Sequence, residues 1–238
     1  MSPGVDKEEI VRSMFSSIAR RYDLTNTLLS FGLHRWWRSF AVRQLEISSG
    51  GRVIDVCSGT GDLAIGLAEA VGDLGKVTAV DFCGEMIEVG RGKIAARSIE
   101  NRVEFVEANA EELPFPADYF DGAIMGFGAR NVAHLDRAFG EMLRVIKPGA
   151  RAVCLEFAGP SSGIFGHLYR FYLFEMLPLI GGFITGDIDS YKYLAESIDR
   201  FHRPEELKGM MEKIGFLDVH YFGLTGGVVT VHLGKKAR

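Results

Sequence analysis

The chain has 238 residues, 47% of them hydrophobic and 24% charged, with a formal net charge of -4, which suits one α/β domain with a sizeable core. The acidic balance and the lack of a long basic run exclude nucleic acid as a partner, because such binding draws chiefly on Lys and Arg against phosphates. Cys57, Cys83 and Cys154 have neither C-x-x-C nor metal-ligand spacing, so reduced thiols in a cytoplasmic protein are expected, with no disulfide and no metal.

The opening "MSPGVDKEEIVRSMF" lacks the basic start and apolar middle of a signal peptide. Residues 1–46 read as several short helices, among them "LHRWWRSFAVRQL", forming an N-terminal cover within a single domain spanning 1–238. From Arg52 onward short apolar runs alternate with amphipathic helical patterns, which predicts a mostly parallel sheet of βα units. The strands are "RVIDV", "KVTAV" ending at Asp81, "RVEFVEA", "FDGAIM" and "RAVCLEF". Helices are expected after Gly61, from Gly84 and from His134, the last stopped by "KPG" at Lys147 to Gly149.

An insert over 161–200 interrupts this alternation. Its greasy stretch from Gly163 to Gly186 carries His167, Arg170, Glu175 and Pro178; charges cost about 2.5 to 3.5 kcal/mol each at a bilayer centre, so it is not read as a span. Beyond it "RPEELKGMMEKIGF" predicts a helix closed by Gly215. Two strands joined by a short Thr-Gly-Gly connection then make an antiparallel hairpin, placing one reversed strand at the sheet edge. The cover and the insert should both lie over the carboxyl ends of the strands, where open α/β sheets bind ligands.

The segment "RVIDVCSGTGDLA" contains Gly59, Gly61 and Ala64 in the spacing G-x-G-x-x-A, which by itself fits a dinucleotide or any other nucleoside-containing ligand. Asp81, about twenty residues beyond the glycines, stands where a carboxylate accepts both ribose hydroxyls. Asp55 separates the candidates, since a carboxylate there repels a diphosphate and attracts the ammonium and sulfonium of S-adenosylmethionine. "NAEELPF" then offers Asn109 and the backbone around Ala110 to an adenine edge.

Together with "MFSSIARRYDLTNTLLSFGLHRWWR", "GFGARNV", "EMLRVIKPGARAVCLEF", "DSYKYLAESIDRF" and "LTGGVVTVHLGKK", these motifs resemble the class I S-adenosylmethionine-dependent methyltransferase fold. More narrowly they resemble the family that C-methylates menaquinone and ubiquinone precursors. That resemblance implies S-adenosylmethionine as cofactor, held at Thr60, Asp81, Asn109 and Ala110; Asp55, Gly59 and Gly61 are expected to bind it as well, from their place at the end of the first strand. The resemblance also implies a prenylated quinol as substrate, most simply demethylmenaquinol. Cys57-Ser58 stands where the family has Ala-Gly or Gly-Gly, and Gly126 where many members have serine.

Ring C-methylation needs an electron-rich carbon in line with the sulfonium methyl, at about 3 to 3.5 Å, shielded from water and with an acceptor for the hydroxyl proton. Arg130 and Asn131 are the first candidates to hold a phenolate or a bridging water, with arginine acting by charge because it stays protonated. Tyr22 and Asp23 could close over the cofactor, or simply start a helix with Asp23 as its N-cap. His34 could accept a proton, although a cap or packing role is as ordinary a reading.

Glu156, at the end of the fifth strand, is expected to face the substrate. Tyr191, Tyr193 and Ser197 are candidates for the quinol ring and its oxygens, and Phe171 and Phe174 for the prenyl tail. The tail also suggests reversible contact with the inner membrane face, and a second copy of the chain is a further candidate partner. The alternatives are a methyltransferase for another small phenol, a non-catalytic cofactor-binding subunit of a quinone-biosynthesis complex, and a nicotinamide oxidoreductase, which Asp55 disfavours.

Overall fold

The computed structural model describes residues 3–159 and 164–238; Ser161 to Gly163, the first residues of the expected insert, lie outside them. The cover consists of helices Pro3–Ile18 (α1), Tyr22–Leu29 (α2) and Leu33–Gln44 (α3), with one tight turn at Ala19–Arg21. Along α3, His34, Trp37 and Ala41 are buried, an i, i+3, i+7 stripe facing inward. Asp23 does not cap α2: Arg21 occupies that position and Asp23 lies in the first turn.

The strands Arg52–Val56 (β1), Lys76–Asp81 (β2), Val103–Glu107 (β3), Phe120–Gly126 (β4), Ile146–Phe157 (β5), Leu217–Leu224 (β6) and Val229–Lys235 (β7) form one sheet in the order β3-β2-β1-β4-β5-β7-β6. Every pair from β3 to β5 is parallel. Val53 to Val56 are all buried, because a central parallel strand is covered on both faces. The chain leaves β1 toward β2 and β3 on one side, while β4 lies on the other, so a crevice opens at the carboxyl ends of β1 and β4.

Helices Asp62–Val71 (α4), Gly84–Ala95 (α5) and Leu135–Val145 (α6) cross between the parallel strands. One apolar core joins Trp37 and Ala41 of α3 to Leu67 of α4, and another joins Phe139 and Met142 of α6 to Met211. The hairpin expected at the edge forms, but its reversed strand is β7, which pairs antiparallel with both β5 and β6 and leaves β6 outermost. "KPG" does not sit between helix and strand as expected. β5 begins at Ile146, and the pairing jumps from Phe120 with Ile146 to Gly122 with Arg151, so the intervening residues bulge out, with Gly149 at φ +81°.

The insert folds as Ile164–Phe171 (α7), Leu177–Thr185 (α8) and Ile188–Arg200 (α9), followed by Pro204–Ile214 (α10) with Gly215 as its left-handed cap. Pro178 does not break the insert: one π-helical turn, Tyr172–Met176, precedes it and Pro178 falls in the first turn of α8. A proline has no N–H for the preceding turn, and a wider turn removes the conflict. Leu173, Leu177, Tyr191, Ala195 and Ile198 give the insert its own small core, against which Leu29 of the cover packs. Among the described residues no helix is long and apolar enough to cross a membrane.

Candidate functional site

The loop after β1 turns through left-handed backbone at Cys57 (φ 57°), Gly59 (φ 57°) and Gly61 (φ 77°). A side chain at Gly61 would meet the Phe105 ring at 2.7 Å, so glycine is required both for conformation and for space. Cys57 has no such freedom, and neither has Phe127 (φ 59°) at the end of the neighbouring β4. Two strained residues at adjacent strand ends, each worth about 1 to 3 kcal/mol, are characteristic of a ligand crevice. Gly128 fits beneath them, since a Cβ there would lie 2.4 Å from the Cβ of Cys57.

Asp55 is fully buried under this loop and does not line the crevice. One of its oxygens accepts the Ser58 hydroxyl at 2.6 Å; the other has no hydrogen-bond partner. Burial pushes its carboxyl up to about 7. Ser58, which departs from the resembled family, therefore supplies a specific donor to the acid behind the loop. Gly126, the other departure, is fixed by packing, because a Cβ there would fall 2.2 Å from Leu63 Cδ1.

Asp81 lines the crevice, and its two oxygens accept the backbone N–H of Gly59 (2.7 Å) and of Cys83 (3.0 Å). Burial raises its pKa and these donors oppose the rise. Each oxygen keeps lone-pair capacity for an additional donor, such as a ribose hydroxyl. Asn109, whose Oδ1 accepts Glu111 N–H at 2.9 Å, and Ala110 stand on the same chamber of about 860 Å³. An acid at the end of β2 beside a glycine loop, both on the wall of one chamber, fits a nucleoside cofactor.

The cover is tied to this loop by charge. Thr60 donates to Asp23 Oδ1 at 2.6 Å, Lys93 of α5 bridges Asp23 (2.7 Å) and Asp62, and Arg38 of α3 reaches Asp62 at 2.7 Å. Burial alone would raise the Asp62 pKa, but Arg38 and Lys93 hold it below its ordinary value.

A second chamber of about 940 Å³, largely apolar, lies between the cover and the insert. Phe15, Tyr22, Arg38, Phe127 and Asn131 line both chambers and so form the wall between them. Burial raises the Tyr22 phenol pKa, opposed by the guanidinium groups of Arg130 and Arg38. Arg130, on the short turn after β4, gives Nη1 to Glu156 Oε1 at 2.7 Å and to the Phe127 carbonyl at 2.6 Å. The Glu156 carboxylate also accepts the N–H of Phe157 (2.9 Å) and of Arg130 itself (3.3 Å).

Of the residues expected at the substrate, Tyr191 and Tyr193 line the second chamber, with Tyr193 donating to Asn131 Oδ1 at 3.4 Å. The other four lie elsewhere. Glu156 is fully buried behind Arg130, which satisfies its charge, so it braces the arginine and does not face the chamber. Ser197 donates to its own helix at Leu194 and borders a separate outer groove. Phe171 is 58% exposed, and Phe174 packs into the insert core under Arg170, so neither lines the chamber. Gly61 caps α4 and lies off the cofactor chamber's wall.

Arg38, Phe127 and Tyr169 belong to the chambers without having been singled out in the sequence. Tyr169 carries a buried hydroxyl with no hydrogen-bond partner. Only Arg38 had a readable signal, as the cation one turn beyond His34 on the inward face of "LHRWWR".

A family model described as the ubiE/COQ5 methyltransferase family matches residues 4–236. The chain is 44% identical over 234 residues to the ubiquinone/menaquinone biosynthesis C-methyltransferase UbiE of Stutzerimonas stutzeri, covering 98% of this chain and 91% of that protein. To the protein of the same name in Haemophilus ducreyi it is 42% identical over 231 residues, or 97% and 89% of the two chains. Among solved structures, a SAM-dependent methyltransferase from Thermotoga maritima superposes with a TM-score of 0.67 at 21% identity, over 94% of this chain and 98% of that one. One from Aquifex aeolicus gives 0.62 at 18% identity, over 83% and 88%. At such identities these two establish the fold alone.

Proposed function

Because the chain belongs to the ubiE/COQ5 methyltransferase family, we propose that it transfers a methyl group from S-adenosylmethionine to a ring carbon of a prenylated quinol, most simply converting demethylmenaquinol to menaquinol. The observation that carries this reading is the pair of chambers sharing one wall: one at the glycine loop, bordered by Asp62, Asp81 and Asn109, and one under the insert, lined mostly by aromatic and aliphatic side chains. A methyl group handed across that wall passes between the two ligands without meeting bulk water.

In this reading Asp81 accepts the ribose hydroxyls, Asn109 and Ala110 border the adenine, and Gly59 and Thr60 let the backbone approach. S-adenosylmethionine supplies the electrophilic methyl when bound. Tyr22 and Asn131 orient the quinol at the wall. Arg130, held by Glu156, stabilises negative charge developing on the ring oxygen. Phe127 and Trp37, with ring centroids 6.2 Å apart, keep the reacting carbon in an apolar setting.

The same reading extends to the tail. Phe31 (83% exposed), Leu168 and Phe183 (93% exposed) leave apolar surface around the cover and the insert. The Phe31 ring stands 6.5 Å from Tyr172, which lines the second chamber. Such exposed apolar side chains offer contact to a polyprenyl chain and to its bilayer. Methyl transfer from labelled S-adenosylmethionine to reduced demethylmenaquinone and to the benzoquinol analogue tests the function. Transfer to neither would overturn it, and their ratio assigns the ring.

A further inference from the structure

His34 is a buried imidazole on the wall of the apolar chamber that the reading above leaves without a task. Its Nδ1 lies 2.7 Å from the Ser30 hydroxyl, which itself lies 2.6 Å from the Asn26 carbonyl. A carbonyl oxygen only accepts, and two oxygens at that distance repel unless a proton lies between them. The single hydroxyl proton of Ser30 is thus committed to Asn26, and Ser30 can only accept from His34. The proton of the neutral imidazole therefore sits on Nδ1, and Nε2 keeps an open lone pair. Among the described residues nothing in the protein hydrogen-bonds to Nε2, yet it is not a sealed orphan like the Tyr169 hydroxyl.

We propose that His34, through Nε2, accepts the proton of the quinol hydroxyl as the ring carbon takes the methyl group; the proposal rests on the quinol reading above. In that step the O–H bond breaks and its pair becomes the second bond of a ring carbonyl. The ring π pair forms the new C–CH3 bond, and the S–CH3 pair stays on sulfur. The ring carbon then loses its own hydrogen to water while the imidazolium returns its proton to the oxygen. One proton is released for each methyl transferred.

Burial and the nearby Arg38 and Arg35 lower the His34 pKa to about 4, with Asp62 and Asp23 opposing, so the imidazole is neutral near pH 7. A weak base suffices here. As the ring carbon bonds to the methyl, the hydroxyl gains acidity toward that of a protonated ketone, far above an imidazolium, so its proton leaves in step with that bond and the electron density left on oxygen faces Arg130.

The test uses His34→Gln, which keeps an acceptor but cannot take the proton. We expect kcat with demethylmenaquinol to fall roughly 100-fold, within the usual range for a positioned base. Binding of S-adenosylmethionine and of 1,4-naphthalenediol, read by calorimetry, should stay within about threefold, less than half a decade of affinity. Independently, 15N shifts of histidine-labelled wild-type protein should show His34 protonated on Nδ1, its signal identified by loss in His34→Gln or, should that variant not fold, by displacement in Ser30→Ala. An Nε2-protonated ring, or a variant as active as an active wild type, overturns the proposal. A wild type that methylates neither quinol overturns the functional reading instead, and the proposal falls with it.

Discussion

Replacing Arg130 by alanine should damage the fold as well as the chemistry, and the size of the damage follows from its surroundings. The Arg130 and Glu156 side chains are 6% and 0% exposed. Removing the guanidinium leaves Glu156 with only the Arg130 and Phe157 main-chain donors. Breaking one partner out of a buried pair costs about 3 to 5 kcal/mol. For a domain of this size each kcal/mol moves Tm by about 2 to 4 °C, so Arg130→Ala should melt about 6 to 20 °C below wild type. Replacing both partners by apolar residues, as in Arg130→Met with Glu156→Leu, should recover most of that loss while leaving the enzyme inactive. Urea denaturation of the two singles and the double gives the coupling directly. A loss below about 1 kcal/mol in Arg130→Ala, the scale of an exposed pair, would refute the assignment of Glu156 as the brace.

Asp81→Asn should weaken S-adenosylmethionine binding by about 1.5 to 3 kcal/mol, the scale of a hydrogen bond to a charged group; unchanged calorimetric affinity would remove Asp81 from the cofactor. Stability should respond to pH in two opposing ways. Burial lowers the pKa of His232, like that of His34, to about 4, so their contribution is present above about pH 6.5 and lost as the pH falls toward 4. Asp55 is raised to about 7, so its contribution is present below about pH 3.8 and lost as the pH rises through 7. In Tm-versus-pH curves His232→Gln should flatten the acid limb and Asp55→Asn the rise-side loss, and curves parallel to wild type would contradict both. Phe31→Ser with Phe183→Ser should reduce co-sedimentation with anionic lipid vesicles and raise KM for long-tailed quinols but not for 1,4-naphthalenediol; equal KM effects would favour a plain packing role.

The strands of the parallel sheet were legible because burial on both faces gathers β-branched residues into short runs, as with Val53, Ile54 and Val56 in "RVIDV". The glycine-loop chamber was legible in part: Gly59, Thr60, Asp81, Asn109 and Ala110 line it as local features of strand ends, whereas Asp55 and Gly61 do not. What escaped depends on distant pairing. Glu156 reads as a pocket acid until its partner is known to be Arg130, 26 residues earlier. The bulge at Lys147 to Gly149 cannot be inferred from "KPG", because it records a mismatch between β4 and β5. Phe171 and Phe174 fall on a helix whose inward face was unknowable without the chain that packs on it. His34 lies between these cases, because its inward stripe is in the sequence but the Ser30 contact that fixes its proton is not.

The placement of β7 governs the order in which the sheet can assemble. β1 to β5 pair in a block that ends at Phe157, and among the described residues β6 pairs with β7 alone. β6 can pair with β7 as a local hairpin, but neither strand reaches the sheet until β7 docks on β5, so the hairpin adds as a unit to the parallel block. Contacts of such long sequence separation form late and slowly. In pulse-labelled hydrogen exchange during refolding, amides of β1 and β4 should therefore gain protection before those of β6, with β6 and β7 protected in the same kinetic phase. The cofactor crevice, built on β1, β2 and β4, would then be shaped before the sheet is complete.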